Sequence, residues 1–99
     1  MFGSGAPASA TLDMAITRAD FLRQLTAAFG PLHAPPDNMF TGNHDGCVWR
    51  ITLLPSAPTR LGLIVLERWT VRIELDAAAP GCREAWWRRF AAHFQKGGG

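Results

Sequence analysis

Alternation of apolar and polar residues between positions 47 and 76 constrains the fold more than any other feature of the sequence. Successive side chains of a strand point to opposite faces, so this period of two predicts strands that each bury one face. The first strand runs from Cys47 to Leu54, and the two prolines of the PSAPT segment that follows are predicted to end it. Its buried face carries Cys47, Trp49, Ile51 and Leu53.

A second apolar segment, LGLIVLERWTVRIELD, covers residues 61–76 and is longer than an ordinary strand. We therefore predict two strands, 61–66 and 69–76, which form a hairpin joined at Glu67 and Arg68. One continuous, bulged strand is the alternative, because Glu-Arg is not favoured in a two-residue turn. The buried face of the predicted hairpin carries Ile64, Leu66, Trp69, Val71 and Ile73.

Apolar residues at helical spacing flank the strands on both sides. Before the strands, Thr17 is the predicted N-cap of a helix, and Asp20 occupies the N3 position of a capping box. Gly30 and Pro31 end that helix, because glycine favours the position after a helix and proline cannot continue it. After the strands, residues 82–96 form a second helix. Its apolar stripe consists of Trp86, Phe90, Ala91 and Phe94.

The predicted fold is α+β, with the element order α-β-β-β-α. It is a two-layer sandwich in which a three-stranded antiparallel sheet carries two helices on one face. Residues 16–96 form the single domain, after a disordered N-terminal arm over residues 1–15. Residues 97–99 form a flexible glycine tail. Residues 30–46 are predicted to be a long loop, a feature more often functional or mobile than structural.

Composition places the chain among small globular proteins of one domain. The net charge is only +2, and nine of the ten cationic residues are arginine. That bias favours bidentate contacts, although the base composition of a bacterial-type genome also produces it. No apolar run approaches the roughly 20 residues of a membrane span. The first residues lack the basic and apolar regions of a signal peptide. A cytoplasmic location without membrane contact is therefore expected.

No arrangement of residues in the sequence marks an active site. There is no nucleophile motif, phosphate loop or dinucleotide fingerprint. His33, His44 and Asp45 share one loop, but no third ligand lies at a familiar metal-binding spacing. Cys47 and Cys82 form no metal motif and are predicted to be reduced thiols. We therefore predict that the chain is not an enzyme and has no catalytic residue, cofactor or metal.

The glycine tail resembles the Gly-Gly end of ubiquitin-like proteins and small sulfur carriers. That resemblance implies a carboxylate at Gly99 that a partner enzyme activates. It covers the last residues only, and those families are β-grasp folds in which a strand leads into the tail. A helix precedes the tail here, so Gly97 is interpreted first as the residue that ends a helix.

The α-β-β-β-α order and the GPLH segment resemble double-stranded-RNA-binding domains, which often carry a GPxH loop. The resemblance implies RNA binding through the last helix and this loop. In those domains the loop follows the first strand, whereas Gly30 here directly follows the first helix. They also grip phosphates with a lysine cluster at the start of the last helix. The helix here begins with only Arg83 beside Glu84.

The second helix carries the candidate binding residues. Trp86 and Trp87 are neighbours about 100° apart around a helix, so either one of them is partly exposed or the apolar stripe is wide enough to bury both. Tryptophan beside arginine is typical of interface hot spots. A solvated outer face is the alternative interpretation of the cations. The candidate binding residues are Arg83, Trp87, Arg88, Arg89, His93 and Lys96.

The leading hypothesis is a small binding or adaptor domain that acts through protein–protein contact, with a homodimer as one form of that contact. This hypothesis is based on two observations. The chain has ten aromatic residues, a large apolar content for 99 residues, and it lacks recognisable catalytic groups. The outer sheet face supports a dimer, because Val48, Leu54, Leu63 and Val65 are expected to be exposed there. RNA binding through the basic second helix and a glycine-tail carrier are the alternatives.

Overall fold

Four strands and two helices make up the part of the chain that the computed structural model describes, residues 7–31, 38–44, 46–77 and 79–97. The strands form one antiparallel sheet in the order β1-β4-β3-β2, and both helices cover the same face of it. The α+β class and the two-layer arrangement are confirmed. The elements are β1 Ser9–Ala15, α1 Arg18–Phe29, β2 Met39–His44, β3 Cys47–Leu61, β4 Ile64–Ala77 and α2 Pro80–Gly97.

The predicted count of three strands and the order α-β-β-β-α are wrong, because β1 precedes α1 and makes the order β-α-β-β-β-α. β1 lies in the segment that was predicted to be a disordered arm, and it pairs with β4 along its whole length. Its inward side chains, Ala10, Leu12 and Met14, pack against the core. The N-terminal segment is also held by the Trp87 indole N–H, which donates to the Pro7 carbonyl at 2.9 Å.

β2 lies in the segment that was predicted to be a long loop, and it pairs with the first half of β3. Phe40 is buried in the core, whereas Met39 is exposed on the other face. Residues 32–37 and residue 45 of the predicted loop lie outside the described residues. At one inward position of β2 the residue is Gly42, because the ring of its cross-strand neighbour Trp49 occupies the space that a larger side chain would need.

The hairpin between β3 and β4 turns at Gly62 and Leu63, not at Glu67 and Arg68 as predicted. Gly62 has φ 62°, and Leu63 keeps a negative φ. Glycine at the first central position with φ above zero is the signature of a type II′ turn, which suits a two-residue hairpin. Moving the turn leaves Trp69, Val71 and Ile73 on the inward face. Ile64 and Leu66, predicted to be buried with them, lie on the outward face and are exposed.

β3 continues through the PSAPT segment because its prolines occupy positions that need no hydrogen bond to β4. The Leu53 N–H points towards β2 and donates to the Asn38 carbonyl. The backbone nitrogen of Pro55, two residues later, is on the same side of β3 but lies beyond the end of β2, so it needs no partner there. Pro58 lies in a bulge, where the register shifts between Ser56 and Thr59. Proline is tolerated on a free strand edge and at a bulge, so neither residue ends the strand.

Aromatic rings fill the space between the sheet and the helices. Trp49 of β3 packs against Phe29 of α1 at a centroid distance of 5.0 Å, and Phe29 stacks on Trp86 of α2 at 5.1 Å. Phe90 and Phe94 continue the stack along α2, with their rings 4.3 Å apart. Eight of the ten aromatic residues of the chain are buried in this core: Phe21, Phe29, Phe40, Trp49, Trp86, Trp87, Phe90 and Phe94.

Both ends of α1 have the predicted caps. The Thr17 hydroxyl accepts a hydrogen bond from the Asp20 N–H at 3.1 Å, as expected for an N-cap. At the other end, the Gly30 N–H donates to the Thr26 carbonyl at 2.7 Å, with Gly30 at φ 89°. A further contact lies at the start of the helix, where the Glu67 carboxylate accepts the Arg18 N–H at 2.9 Å. A carboxylate there complements the positive end of the helix dipole.

We predict that Gly42→Ala destabilises the fold by about 1–3 kcal/mol, the usual cost of overpacking a core. A Cβ at this position would lie 2.5 Å from the Trp49 ring, and that ring is enclosed by buried neighbours. Chemical denaturation followed by tryptophan fluorescence measures the change. Gly81→Ala is the matched control, because no atom lies within 4 Å of its Cβ and the helix gains up to about 1 kcal/mol. Equal stabilities of the two variants would contradict the proposed close approach.

Candidate functional site

The hairpin of β3 and β4 projects beyond the other strands. β2 stops pairing with β3 at Thr52, and β1 stops pairing with β4 at Arg68. Residues 55–67 therefore form a two-stranded projection, here called the ribbon, with Gly62 and Leu63 at its tip. It contributes to the elongated shape of the described chain, which extends 47 Å along its longest axis and 19 Å along its shortest.

The exposed large apolar side chains of the described residues concentrate on the ribbon. Five of these eight side chains belong to it, and Leu63 at the tip is 103% exposed. By strand alternation, Leu61, Ile64 and Leu66 point to the outer face of the sheet, opposite the helices. Leu54 extends the same strip towards the body of the sheet. The other exposed apolar side chains are Val65 on the inner face of the ribbon, and Met39 and Val48 on the outer face of the sheet.

The polar side chains on the outer face of the ribbon and at its base already have partners within the chain. The Ser56 and Thr70 hydroxyls lie 2.7 Å apart and share one hydrogen bond. The Arg68 guanidinium forms an ion pair with Asp13 at 2.6 Å and donates to the Thr59 hydroxyl at 3.0 Å. Covering an unpaired polar group costs free energy, whereas covering paired groups avoids most of that cost. The outer strip is therefore suited to burial against an apolar surface.

The edges of the ribbon are less suited to binding than its faces. Pro55 presents no N–H on the free edge of β3, and the bulge at Ala57 and Pro58 interrupts the same edge. On the other side, only residues 64–67 of β4 extend past β1. Such short or proline-blunted edges are a common protection against strand addition. Contact through apolar side chains is thus favoured over backbone pairing.

A carboxylate anchors the base of the ribbon to α1. Glu67 accepts the Arg18 N–H at 2.9 Å and the Trp69 indole N–H at 2.6 Å, both through Oε2. An open groove of about 310 Å³ runs between the start of α1 and the inner side of the ribbon. Gln24 and Val65 are among the residues that line it. The anchoring fixes the direction in which the ribbon projects.

Sequence reasoning missed the ribbon as a site because it placed the turn five residues too late and so assigned Ile64 and Leu66 of the hairpin to the core. The signal was present in the LGL segment. A glycine between two apolar runs, at the first central position of a two-residue turn, is a recognised hairpin signature. With the turn at Gly62, the residues on either side of it cannot reach the helices.

The residues predicted to bind on α2 do not form the expected aromatic hot spot. Trp87 is 2% exposed and Trp86 is 1% exposed, so the apolar stripe is wide enough to bury both rings. Of the two alternatives left open by the sequence, burial of both rings is the one observed, so these rings offer little exposed aromatic surface. Among the described residues, the exposed large apolar side chains are those of leucine, isoleucine, valine and methionine.

Two of the described cations of α2 lie on its outer side. Arg88 and Arg89 are exposed, and Arg83 and His93 are partly buried, while nothing is described of the Lys96 side chain. Arg89 Nη1 donates to the Ala28 carbonyl near the end of α1 at 3.2 Å, and so links the two helices. His93 Nδ1 lies 3.1 Å from the Arg89 carbonyl. At least one of the candidate binding residues on α2 thus has a structural contact.

The candidate chemical groups do not assemble into a cluster among the described residues. Cys47 is buried and Cys82 is partly buried, and neither forms a disulfide among the described residues. The Trp49 indole N–H donates to His44 Nδ1 at 3.1 Å, so His44 serves as a hydrogen-bond acceptor beside the core. No group of three or more histidine, cysteine, aspartate or glutamate side chains in the described part of the chain could hold a metal ion. His33 and Asp45 lie outside the described residues.

Comparison with known proteins gives no family assignment. A scan of family models, a search of curated proteins and a search of solved structures each found no match to this chain. No helix within the described ranges is long and apolar enough to span a membrane. The described residues form a small α+β domain with a four-stranded antiparallel sheet.

We predict that Arg89→Ala lowers the free energy of unfolding by about 0.5–1.5 kcal/mol, because it removes a charged donor from a helix-end carbonyl. Arg88→Ala is the matched neighbour, and the structure assigns no such bond to Arg88. Its effect should stay within about 0.5 kcal/mol, as for most surface substitutions. Urea denaturation of the two variants provides the comparison. Equal losses would show that the contact with Ala28 does not stabilise the fold.

Proposed function

We propose that this chain is a non-catalytic protein-binding domain whose contact surface is the ribbon together with the outer sheet face at Leu54. The observation that carries this proposal is a projecting hairpin with five exposed aliphatic side chains, whose neighbouring polar side chains are already paired. Contiguous apolar patches on a protein surface commonly mark interaction sites. Scattered single apolar residues would not support the same conclusion.

The charge of the ribbon favours a protein partner over nucleic acid. Arg60 and Glu67 are its charged residues, and Arg68 at its base is neutralised by Asp13. Nucleic-acid binding depends on several cations that neutralise phosphates, and the ribbon does not offer them. Fully buried centres of protein interfaces are depleted in charge and rich in apolar side chains, which matches the outer strip.

The two alternatives remain less well supported. RNA binding would use the α2 surface, where Arg88 and Arg89 are exposed but Arg89 contacts the end of α1. A glycine-tail carrier would use Gly99, which lies outside the described residues, as does Gly98. Gly97 is the last residue of α2, in agreement with its interpretation as a helix end.

Site-specific photo-crosslinking tests the proposal. A benzophenone amino acid is placed at Leu63 on the ribbon tip or, as the matched control, at Ala92 on the exposed side of α2. Each variant is irradiated in an extract of the source organism, and adducts are resolved by mass. We expect protein adducts from position 63 and few from position 92, because only the ribbon presents a contiguous apolar surface.

Two results would contradict the proposed function. The absence of protein adducts from position 63 would show that the ribbon meets no partner. Adducts from position 92 alone would place the contact on α2 and would support the alternative of binding through this basic helix. If RNA is the ligand of α2, ribonuclease treatment of the extract should remove the adducts that contain both this chain and RNA.

A further inference from the structure

We propose that the surface which covers the ribbon is the ribbon of a second copy of this chain, in a two-fold symmetric dimer. This inference rests on the proposed function and adds the identity of the partner. The two outer strips would pack face to face with their strands running in opposite directions. The most common closed assembly of identical chains has this isologous form, in which one surface must complement itself.

The positions of the apolar residues fit a two-fold axis at Leu66. Leu63 at the tip lies three residues before Leu66 in the chain. Thr70, which is the cross-strand neighbour of Leu54, lies four residues after Leu66. An axis at Leu66 therefore brings the tip leucine of each copy to within one residue, about 3.4 Å, of the level of Leu54 of the other. Leu66 itself meets its symmetry mate, and no apolar residue of the strip is left uncovered.

The same axis keeps net charge out of the interface. Below Leu54, the outer sheet face becomes charged, with Arg72 and the ion pair of Arg50 and Glu74 at 3.5 Å. The tip of the second copy ends at the level of Leu54, before these residues begin. The one cation within the overlap, Arg68, is paired with Asp13 in its own chain. An identical copy therefore meets neither net charge nor an unpaired polar group.

The size of the overlap predicts a weak dimer. Seven residue steps at about 3.4 Å give a strip roughly 24 Å long, and two strands with their side chains make it about 15 Å wide. That area is well below the roughly 800 Å² that each partner contributes to an interface of standard size. Association should therefore be reversible and should disappear on dilution.

A lipid surface is the competing occupant, and the structure favours it less. Insertion of the tip into a bilayer would cover Leu63 and its neighbours but would leave Leu54 exposed to water. Attraction to an anionic membrane also requires a cluster of cations, whereas Arg60 is the only unneutralised cation near the tip. The protein partner accounts for the whole strip.

Sedimentation velocity of the purified full chain over a range of concentrations provides the first test. We expect a monomer–dimer equilibrium for the wild type, and loss of the dimer in Leu66→Asp and in Leu63→Asp. Leu63 is fully exposed, so its variant keeps the fold even if Leu66→Asp were to disturb it, and circular dichroism verifies this. Ala92→Asp on α2 is the control and should dimerise as the wild type does.

Thiol crosslinking tests the position of the axis in a Cys82→Ser background, since Cys47 is fully buried. A short bismaleimide can bridge the roughly 10 Å between packed sheets. Leu66→Cys should crosslink to its own symmetry mate. Leu54→Cys should crosslink efficiently only when mixed with Leu63→Cys, because the axis places these two positions opposite each other.

The outcomes separate this inference from the proposed function. A monomer at every concentration would overturn the dimer, as would crosslinks that form from Ala92→Cys and not from Leu66→Cys. Co-sedimentation with phosphatidylserine vesicles that Leu63→Asp abolishes, without any dimer, would also overturn it in favour of a lipid surface. If the purified chain is monomeric while position 63 still forms adducts with another protein, the proposed function stands and the second copy is excluded.

Discussion

The close approach of the Trp49 ring to Gly42 is the contact on which the rest of the structure depends. The two residues are cross-strand neighbours, and any side chain at position 42 would occupy the volume of the indole. The ring is thereby seated where it touches Phe29 of α1 and faces Trp86 of α2, at centroid distances of 5.0 and 6.3 Å. One tryptophan thus joins the sheet to both helices.

This arrangement also decides which residues are left for binding. Stacked rings extend from Phe29 through Trp86 and Phe90 to Phe94, so the aromatic surface of both helices is buried. The helices cover the sheet as far as Leu53 of β3 and Trp69 of β4, which still lie in the core or pack against it. The remainder of β3 and β4 has no layer above it, and its apolar side chains remain exposed. An aromatic core inside and an aliphatic ribbon outside follow from the same geometry.

The sequence predicted the elements with strong local signals and missed those with weak ones. Thr17 and Gly30 locate α1 because caps are local chemistry, and Trp86 with Phe90 identifies α2 by helical spacing. β1 was missed although its residues alternate, because they are mostly small and its stability comes from pairing with β4, far away in the chain.

The candidate site was the least predictable part. Recognising the ribbon requires knowing that Pro55 lies on an unpaired edge and that Pro58 lies in a bulge, which are properties of the assembled sheet. Likewise, the neighbouring positions of Trp86 and Trp87 left burial of both undecided, and only the packing of the N-terminal segment and α1 around α2 resolves it. Local patterns specify which faces are apolar, whereas the overlap of elements determines which apolar faces are covered.

The most direct measurement of the central claim is a set of methyl NMR spectra of the full chain, recorded from dilute to concentrated solution. If two ribbons pack together, the methyl signals of Leu61, Ile64 and Leu66 shift with concentration, and the methyl signal of Ala92 on α2 does not. Concentration-dependent shifts confined to Ala92 and its neighbours, or no shifts at any concentration, would contradict a ribbon covered by a second copy.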